Sequence, residues 1–305
     1  MRILSLFVAC IFCVISLKAQ PPQIGTYTVD DINLPAEMDK QVCISGMKFY
    51  NGKLYLASER CPSIFVIDPV KGALTQTINI QVPANFEMEG MTSYKDKLYL
   101  ISENVAAIYE VSIPAGNIKT IQTSTPLPAK SKDGDGMEGI AANEKDNKFY
   151  LLRERNDNMS KSEIYTFSVE PGNETSPVVL KYESMIELPL ENPQWRYSDI
   201  CVDKATSKLL CLKSYSKGKF RQQFLEAIDI DNTGKLVVGS LKNVPVENFT
   251  DASNSYKTQR YSMNLEGISI DDDGVIYIVS DNTSGKASCE LPAKEKTILL
   301  QLKKK

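Results

Sequence analysis

One motif returns five times along this chain of 305 residues, and it restricts the fold more than any other feature. ISGMKFYNGKLYLASE begins at residue 44, MEGMTSYKDKLYLISE at 88, MEGIAANEKDNKFYLLRE at 137, YSDICVDKATSKLLCLK at 197 and LEGISIDDDGVIYIVSD at 265. Successive copies start 44 to 68 residues apart, which is the range of a repeat architecture. Each copy opens with a short apolar strand carrying a glycine near its start, which the fourth copy lacks. A turn rich in Asn, Asp, Gly and Lys follows, as tight hairpins require. An aromatic and β-branched run such as LYLAS, LYLIS or IYIVS then supplies a second strand.

Most copies continue with a third apolar run (IFVIDP at 64–69, AIYEVSI at 107–113) and a fourth (LTQTINI at 74–80, IKTIQTS at 118–124). Four antiparallel strands per unit describe a propeller blade. No stretch after the N-terminal segment sustains apolar residues at helical spacing. Two β-sandwiches would not repeat the same inner hairpin each time. The fold class expected is therefore all-β: a single β-propeller with five blades. Six is the alternative if the segment 244–263, read here as a loop over one face, builds another. The run GTYTVDDINL at 25–34 is a free strand, expected to close the ring against the last blade and remove an exposed edge.

Residues 1–19 read as a signal peptide, with Arg2 ahead of an apolar run and a cut after Ala19, leaving 20–305 as the propeller. The apolar run is shorter than the roughly 20 residues of a membrane span. The expected location is secreted or periplasmic; a lipid anchor on Cys10 is the less favoured alternative. No segment of the remaining chain is apolar and long enough for an integral membrane protein, and a monomer is expected. The net charge of −3 gives a nucleic-acid partner no electrostatic support. Five cysteines follow the signal segment. Cys201 and Cys211 lie in adjacent expected strands, either as a cross-strand disulfide or as small buried apolar residues.

Histidine is absent, which removes Ser-His-Asp and Cys-His catalysis and histidine-based zinc sites. Any chemistry rests on carboxylates, other polar side chains, or a metal held by oxygen. The residue before the repeated glycine is Ser45, Glu89, Glu138 or Glu266; in the fourth copy this slot is Ser198, and Asp199 replaces the glycine. The first strand of a blade lines the channel, so these acids are expected to gather at one mouth. Like charges so confined need relief. Ca²⁺ held by Glu89, Glu138, Asp199 and Glu266 is one solution, since it takes oxygen ligands. Pairing with Arg or Lys, or with backbone N–H groups of the neighbouring blade, are the others. A second polar set recurs at the end of strand two: Glu59-Arg60, Glu103-Asn104, Glu154-Arg155 and Asp281-Asn282. Strand two runs back, so this set borders the same rim. Glu59, Glu103 and Glu154 are the candidate general bases. Arg60, Arg155 and Arg196 are the candidates for holding a small anionic ligand or ester substrate.

The stretches MEGM…KLYLISEN, MEGIAANEKDNKFYLLRER and NLEGISIDDDGVIYIVSDN together resemble the bacterial phytase-like family, described as having esterase-like activity of phytase, and the related SdiA-regulated propellers. The resemblance spans about residues 40–300. It implies an exported, calcium-associated propeller that hydrolyses phosphate or carboxylic esters. The D-x-D-D-P-A-type motif of calcium-dependent propeller phytases is not found here. Two other readings stay open: a non-catalytic propeller that binds a ligand or protein, and a gluconolactonase-like lactonase. In a purely structural role the acids and arginines would be inter-blade ion pairs.

Overall fold

A computed structural model describes residues 26–305 apart from 84, 133–134, 173–175, 219, 248, 250–260 and 283–288. The expected signal segment with Cys10, and most of the 244–263 stretch, lie outside the described residues. Among those described, no helix is long and apolar enough to cross a membrane.

After β1 (Tyr27–Ile32) the chain builds consecutive four-stranded antiparallel units, the second and third joined at their outer edges by a short parallel pairing of Val179 and Leu180 with Gln122 and Thr123. The first holds β2 (Ile44–Tyr50), β3 (Lys53–Ser58), β4 (Ser63–Ile67) and β5 (Leu74–Asn79). The second holds β6 (Met88–Tyr94), β7 (Lys97–Ser102), β8 (Ala107–Val111) and β9 (Ile118–Thr123). The third holds β10 (Met137–Asn143), β11 (Lys148–Arg153), β12 (Lys161–Pro171) and β13 (Val178–Pro189). The fourth holds β14 (Trp195–Asp203), β15 (Lys208–Lys217), β16 (Phe220–Ile230) and β17 (Leu236–Asn243). The last is completed from both ends of the chain: β18 (Asn264–Ile270), β19 (Ile276–Asp281), β20 (Leu299–Lys304) and then β1. The inner strands touch in a closed cycle, β2 to β6 to β10 to β14 to β18 and back to β2. This is the β-propeller that the repeat predicts.

The hairpins follow from local chemistry. Asn51 and Gly52 both take positive φ, +49° and +73°, the backbone of a two-residue hairpin whose twist matches its strands. Second strands such as β7 and β11 are buried on both faces because each lies between neighbouring blades, while in the outer strand β9 only Ile121 is buried. Among the described residues, apolar side chains collect in five clusters at the seams between blades. Tyr150, Leu152, Ile200 and Cys211 share the seam between the third and fourth units; Leu210, Leu212, Ile268 and Leu300 share that between the fourth and the last.

The ring closes as the free N-terminal strand predicts. β1 pairs antiparallel with β20, from Tyr27 opposite Lys304 to Ile32 opposite Leu299. A disulfide between Cys61, just after β3, and Cys289, between β19 and β20, ties the first unit to the last. Of the two readings of Cys201 and Cys211, the cross-strand bridge falls and the small buried apolar residues hold. Cys201 faces Leu210 and Cys211 faces Ile200 in the β14–β15 register. That one-residue offset turns the two thiols to opposite faces of the sheet, into different seams, where both are buried and reduced.

Candidate functional site

All five inner strands carry a register shift at the same place: Ile44/Gly46, Met88/Met91, Met137/Gly139, Tyr197/Asp199 and Leu265/Gly267. A β-bulge leaves one residue unpaired and re-aims its side chain. The residues released are those of the repeated slot: Ser45, Glu89, Glu138, Ser198 and Glu266. The glycine beside them has a packing reason. A Cβ on Gly46 would stand 2.5 Å from the Glu89 carbonyl oxygen, and one on Gly90 2.7 Å from that of Glu138. The next inner strand passes too close for a side chain.

In the fourth unit Ser198 fills the slot and donates from Oγ to the Leu265 carbonyl at 2.9 Å. Asp199 fills the glycine position, fully buried. Its Oδ1 accepts from Ile200 N at 2.8 Å and its Oδ2 from Ile268 N at 2.9 Å. Both oxygens are used inside the wall, so Asp199 joins two blades and is set apart from the acids of the mouth.

The remaining acids meet cations in an alternating arrangement. Arg196 donates to Glu154 Oε1 at 2.7 Å and, through Nη2, to Asn264 at 2.7 Å and Glu266 at 2.5 Å. Arg155 donates to Asp135 at 2.6 Å and lies 3.7 Å from Glu154. Lys130 reaches Glu87 at 3.0 Å and bonds to Glu103. Arg60 lies 2.8 Å from Glu59 and 3.7 Å from Glu87, with 42% of its side chain exposed, the most open of these cations. Arg153 turns away, to Asp157 and Glu163. Asn282 bonds the Lys40 carbonyl and the Cys43 amide across the closing seam.

Glu89 and Glu138 differ from the rest: neither has a hydrogen bond or ion pair among the described residues. Glu89 is 5% exposed. Burial, and then the charges of Glu59, Glu103 and Glu266, hold its carboxyl well above the usual range. Glu138 is raised in the same way by burial, Glu89 and Glu154. Burial also lifts Glu103 to about 7 despite Lys130, and Asp135 to about 6. Glu103 Oε1 and Asp135 Oδ2 are buried with no hydrogen-bond partner. The carboxylate oxygens of Glu59, Glu87 and Glu89 lie within 4.8 Å of one another. Hard oxygen ligands gathered in this way, next to acceptors lacking donors, fit a cation such as Ca²⁺.

Of the sequence candidates, the mouth thus brings together Glu59, Glu89, Glu103, Glu138, Glu154, Glu266, Arg60, Arg155 and Arg196. The residues that sequence reasoning passed over are Glu87, Lys130, Asp135 and Asn264. Glu87-Met88-Glu89 and Asn264-Leu265-Glu266 carried a signal, because alternate residues of a strand share a face. Lys130 lies between strands and carried none.

No curated protein matches the chain. Among solved structures, the glutaminyl cyclase of Myxococcus xanthus superposes with a TM-score of 0.52 at 11% identity, over 93% of this chain and 100% of that one. The α-L-arabinofuranosidase of Podospora anserina superposes with a TM-score of 0.51 at 11% identity, over 92% and 96%. At this identity the likeness concerns the fold. The sequence matches the Phytase-like family, described as esterase-like activity of phytase, over residues 46–283. With the match covering well over half of the chain and every charged residue of the mouth, the chain belongs to the Phytase-like family.

Proposed function

We propose that this protein is an exported propeller that hydrolyses phosphate or carboxylic esters at its acidic channel mouth with the help of Ca²⁺. The observation that carries the reading is the pair Glu89, buried, and Glu138, half-buried: carboxyls without partners among the described residues, surrounded by acids whose charges are already matched. The family description supports it. Glu59, Glu87 and Glu89 are the residues that would hold the ion. When bound, Ca²⁺ supplies polarisation of the ester oxygen and a lower pKa for a nearby water.

The chain's own groups do the rest. Burial and Glu89 push the Glu138 carboxyl upward, the direction a general acid needs, and Glu138 donates to the departing oxygen. Glu103, titrating near 7, takes the proton of the attacking water. Glu59 and Glu154, the other candidate bases, stand as ion-pair partners of Arg60 and Arg196. Arg60 is open enough to receive the anionic part of a substrate, with Arg155 and Lys130 behind it. Arg196 is saturated by Glu154, Asn264 and Glu266, and acts as a positioning residue.

A panel of p-nitrophenyl phosphate, p-nitrophenyl acetate, phytate and lactones, run with Ca²⁺ and with EDTA, tests the proposal. We expect ester turnover with Ca²⁺ that EDTA abolishes and that Glu138→Gln lowers by about 10²-fold or more. Inactivity on every substrate with Ca²⁺ present overturns it. Turnover of lactones alone transfers the site to the gluconolactonase-like reading. The matched charges of Arg196 and Lys130 favour a second reading, a non-catalytic binding propeller, and inactivity would leave that one standing.

A further inference from the structure

We propose that the opposite end of the channel is a second binding site, for a small zwitterion whose carboxylate meets Lys48 and whose ammonium meets Asp96, Glu144 and Asp272.

The acids of the first site sit at the N-terminal ends of the inner strands. The C-terminal ends of all five open into a separate cavity of about 510 Å³, lined by Lys48, Asn51, Ser93, Asp96, Glu144 and Asp272 among others. That is the size of a small-molecule site.

Lys48 stands apart from its equivalents on the other inner strands, which are Thr92, Ala141, Cys201 and Ser269, all small and uncharged. Two residues past the glycine slot, Thr92 accepts the Ala142 amide at 3.0 Å, and Ser269 accepts the Phe49 amide at 2.8 Å. Each hydroxyl ties its inner strand to the next. Lys48 holds the equivalent position on β2, where an ammonium has no lone pair to accept anything. It has no hydrogen bond or ion pair among the described residues. Lys48 is half-buried, so its ammonium loses part of its hydration without gaining a partner, and burial pulls the group below its usual pKa. A ligand anion at this point recovers that cost.

The mouth of the cavity has the opposite sign. Asp203 and Asp271 also line it, but each is used by its own turn, accepting from Ala205 N and Val275 N. Asp96, Glu144 and Asp272 are exposed, and Lys204 approaches Glu144 only at 3.8 Å. The Asp96 and Asp272 carboxylates have no partner among the described residues. A lone anion is repelled at this rim, and a lone cation is repelled by Lys48. A molecule carrying both charges, anion inward and cation outward, meets a complementary charge at each end. Free amino acids and short peptides have this form.

Calorimetry on the full propeller tests the site, with glycylglycine as the zwitterion, acetate and ethylammonium as its separate halves, and glucose as a neutral polyol. We expect glycylglycine to bind at least about tenfold more tightly than either half, and Lys48→Met to lose about tenfold or more of that affinity. Asp272→Asn should lower it several-fold. In the unaltered protein, glycylglycine should slow acetylation of Lys48 by N-hydroxysuccinimidyl acetate, read by mass spectrometry. This measurement stands even if a variant folds poorly. Glucose binding as tightly, no binding of glycylglycine, an unchanged affinity in Lys48→Met, or unprotected Lys48 overturns the proposal. None of these readouts depends on ester turnover at the other mouth.

Discussion

Arg196 of the fourth blade places its Nη2 2.5 Å from Oε1 of Glu266 in the last blade, 70 residues away in sequence. The same guanidinium holds Glu154 of the third blade, so one side chain spans three consecutive blades at the mouth. Burial alone would lower its pKa; Glu266, Glu154 and Glu138 together raise it above its usual value. Removing one partner of a buried charge network leaves the others uncompensated. Arg196→Met should therefore cost about 3 kcal/mol or more of stability by chemical denaturation. Adding Glu266→Gln should restore part of it, and independent additive losses would contradict the network.

The glycine slot makes a steric prediction. A Cβ at Gly90 would meet Glu138 O at 2.7 Å, Ile140 N at 2.8 Å and Gly139 Cα at 2.9 Å, all backbone. Gly90→Ala should destabilise by about 1–3 kcal/mol. It should also disturb the mouth, since the strand that must yield is the one presenting Glu138. Gly239 has nothing within 4 Å of an added Cβ. Gly239→Ala is the control and should be near neutral in thermal denaturation.

Raised carboxyls give the stability a definite pH slope. Asp135 moves from 3.8 in the unfolded chain to about 6 in the fold, through burial and Glu154. Between those values the folded state binds the extra proton. This contribution is complete below pH 3.8 and is lost as pH rises through about 6. Glu103 extends the decline from 4.5 to about 7. Two pKa units correspond to about 2–3 kcal/mol for Asp135, which is 3% exposed. Asp135→Asn should flatten the slope between pH 4 and 6 in denaturant titrations. An unchanged slope would show that this carboxyl is not the titrating group.

The Cys61–Cys289 bridge closes a span of 228 residues by tying the first blade to the last, which the pairing of β1 with β20 completes. A loop of that length constrains the unfolded chain, so Cys61→Ser should cost about 2–5 kcal/mol. Because strand pairing still holds the ring, the variant should keep its β circular dichroism while its thermal midpoint falls. Loss of the β signal at room temperature would mean that the strand pairing cannot close the ring alone.

The sequence by itself determined the repeat, the antiparallel hairpins, the propeller, the use of 25–34 as the closing strand, and the rim on which the acids gather. These follow from alternation, turn chemistry and period, all set by residues close together along the chain. Tertiary structure decided which acids are paired. Lys130 reaches Glu87 over 43 residues, Arg196 reaches Glu266 over 70, and Cys61 finds Cys289 over 228. No local pattern encodes such partners, because they depend on how blades are stacked and where loops cross. The bulges show the same division. The glycine in EGM and EGI was legible, but the reason for it was the next strand's backbone, which also turned Asp199 into the wall and left Glu89 and Glu138 without partners.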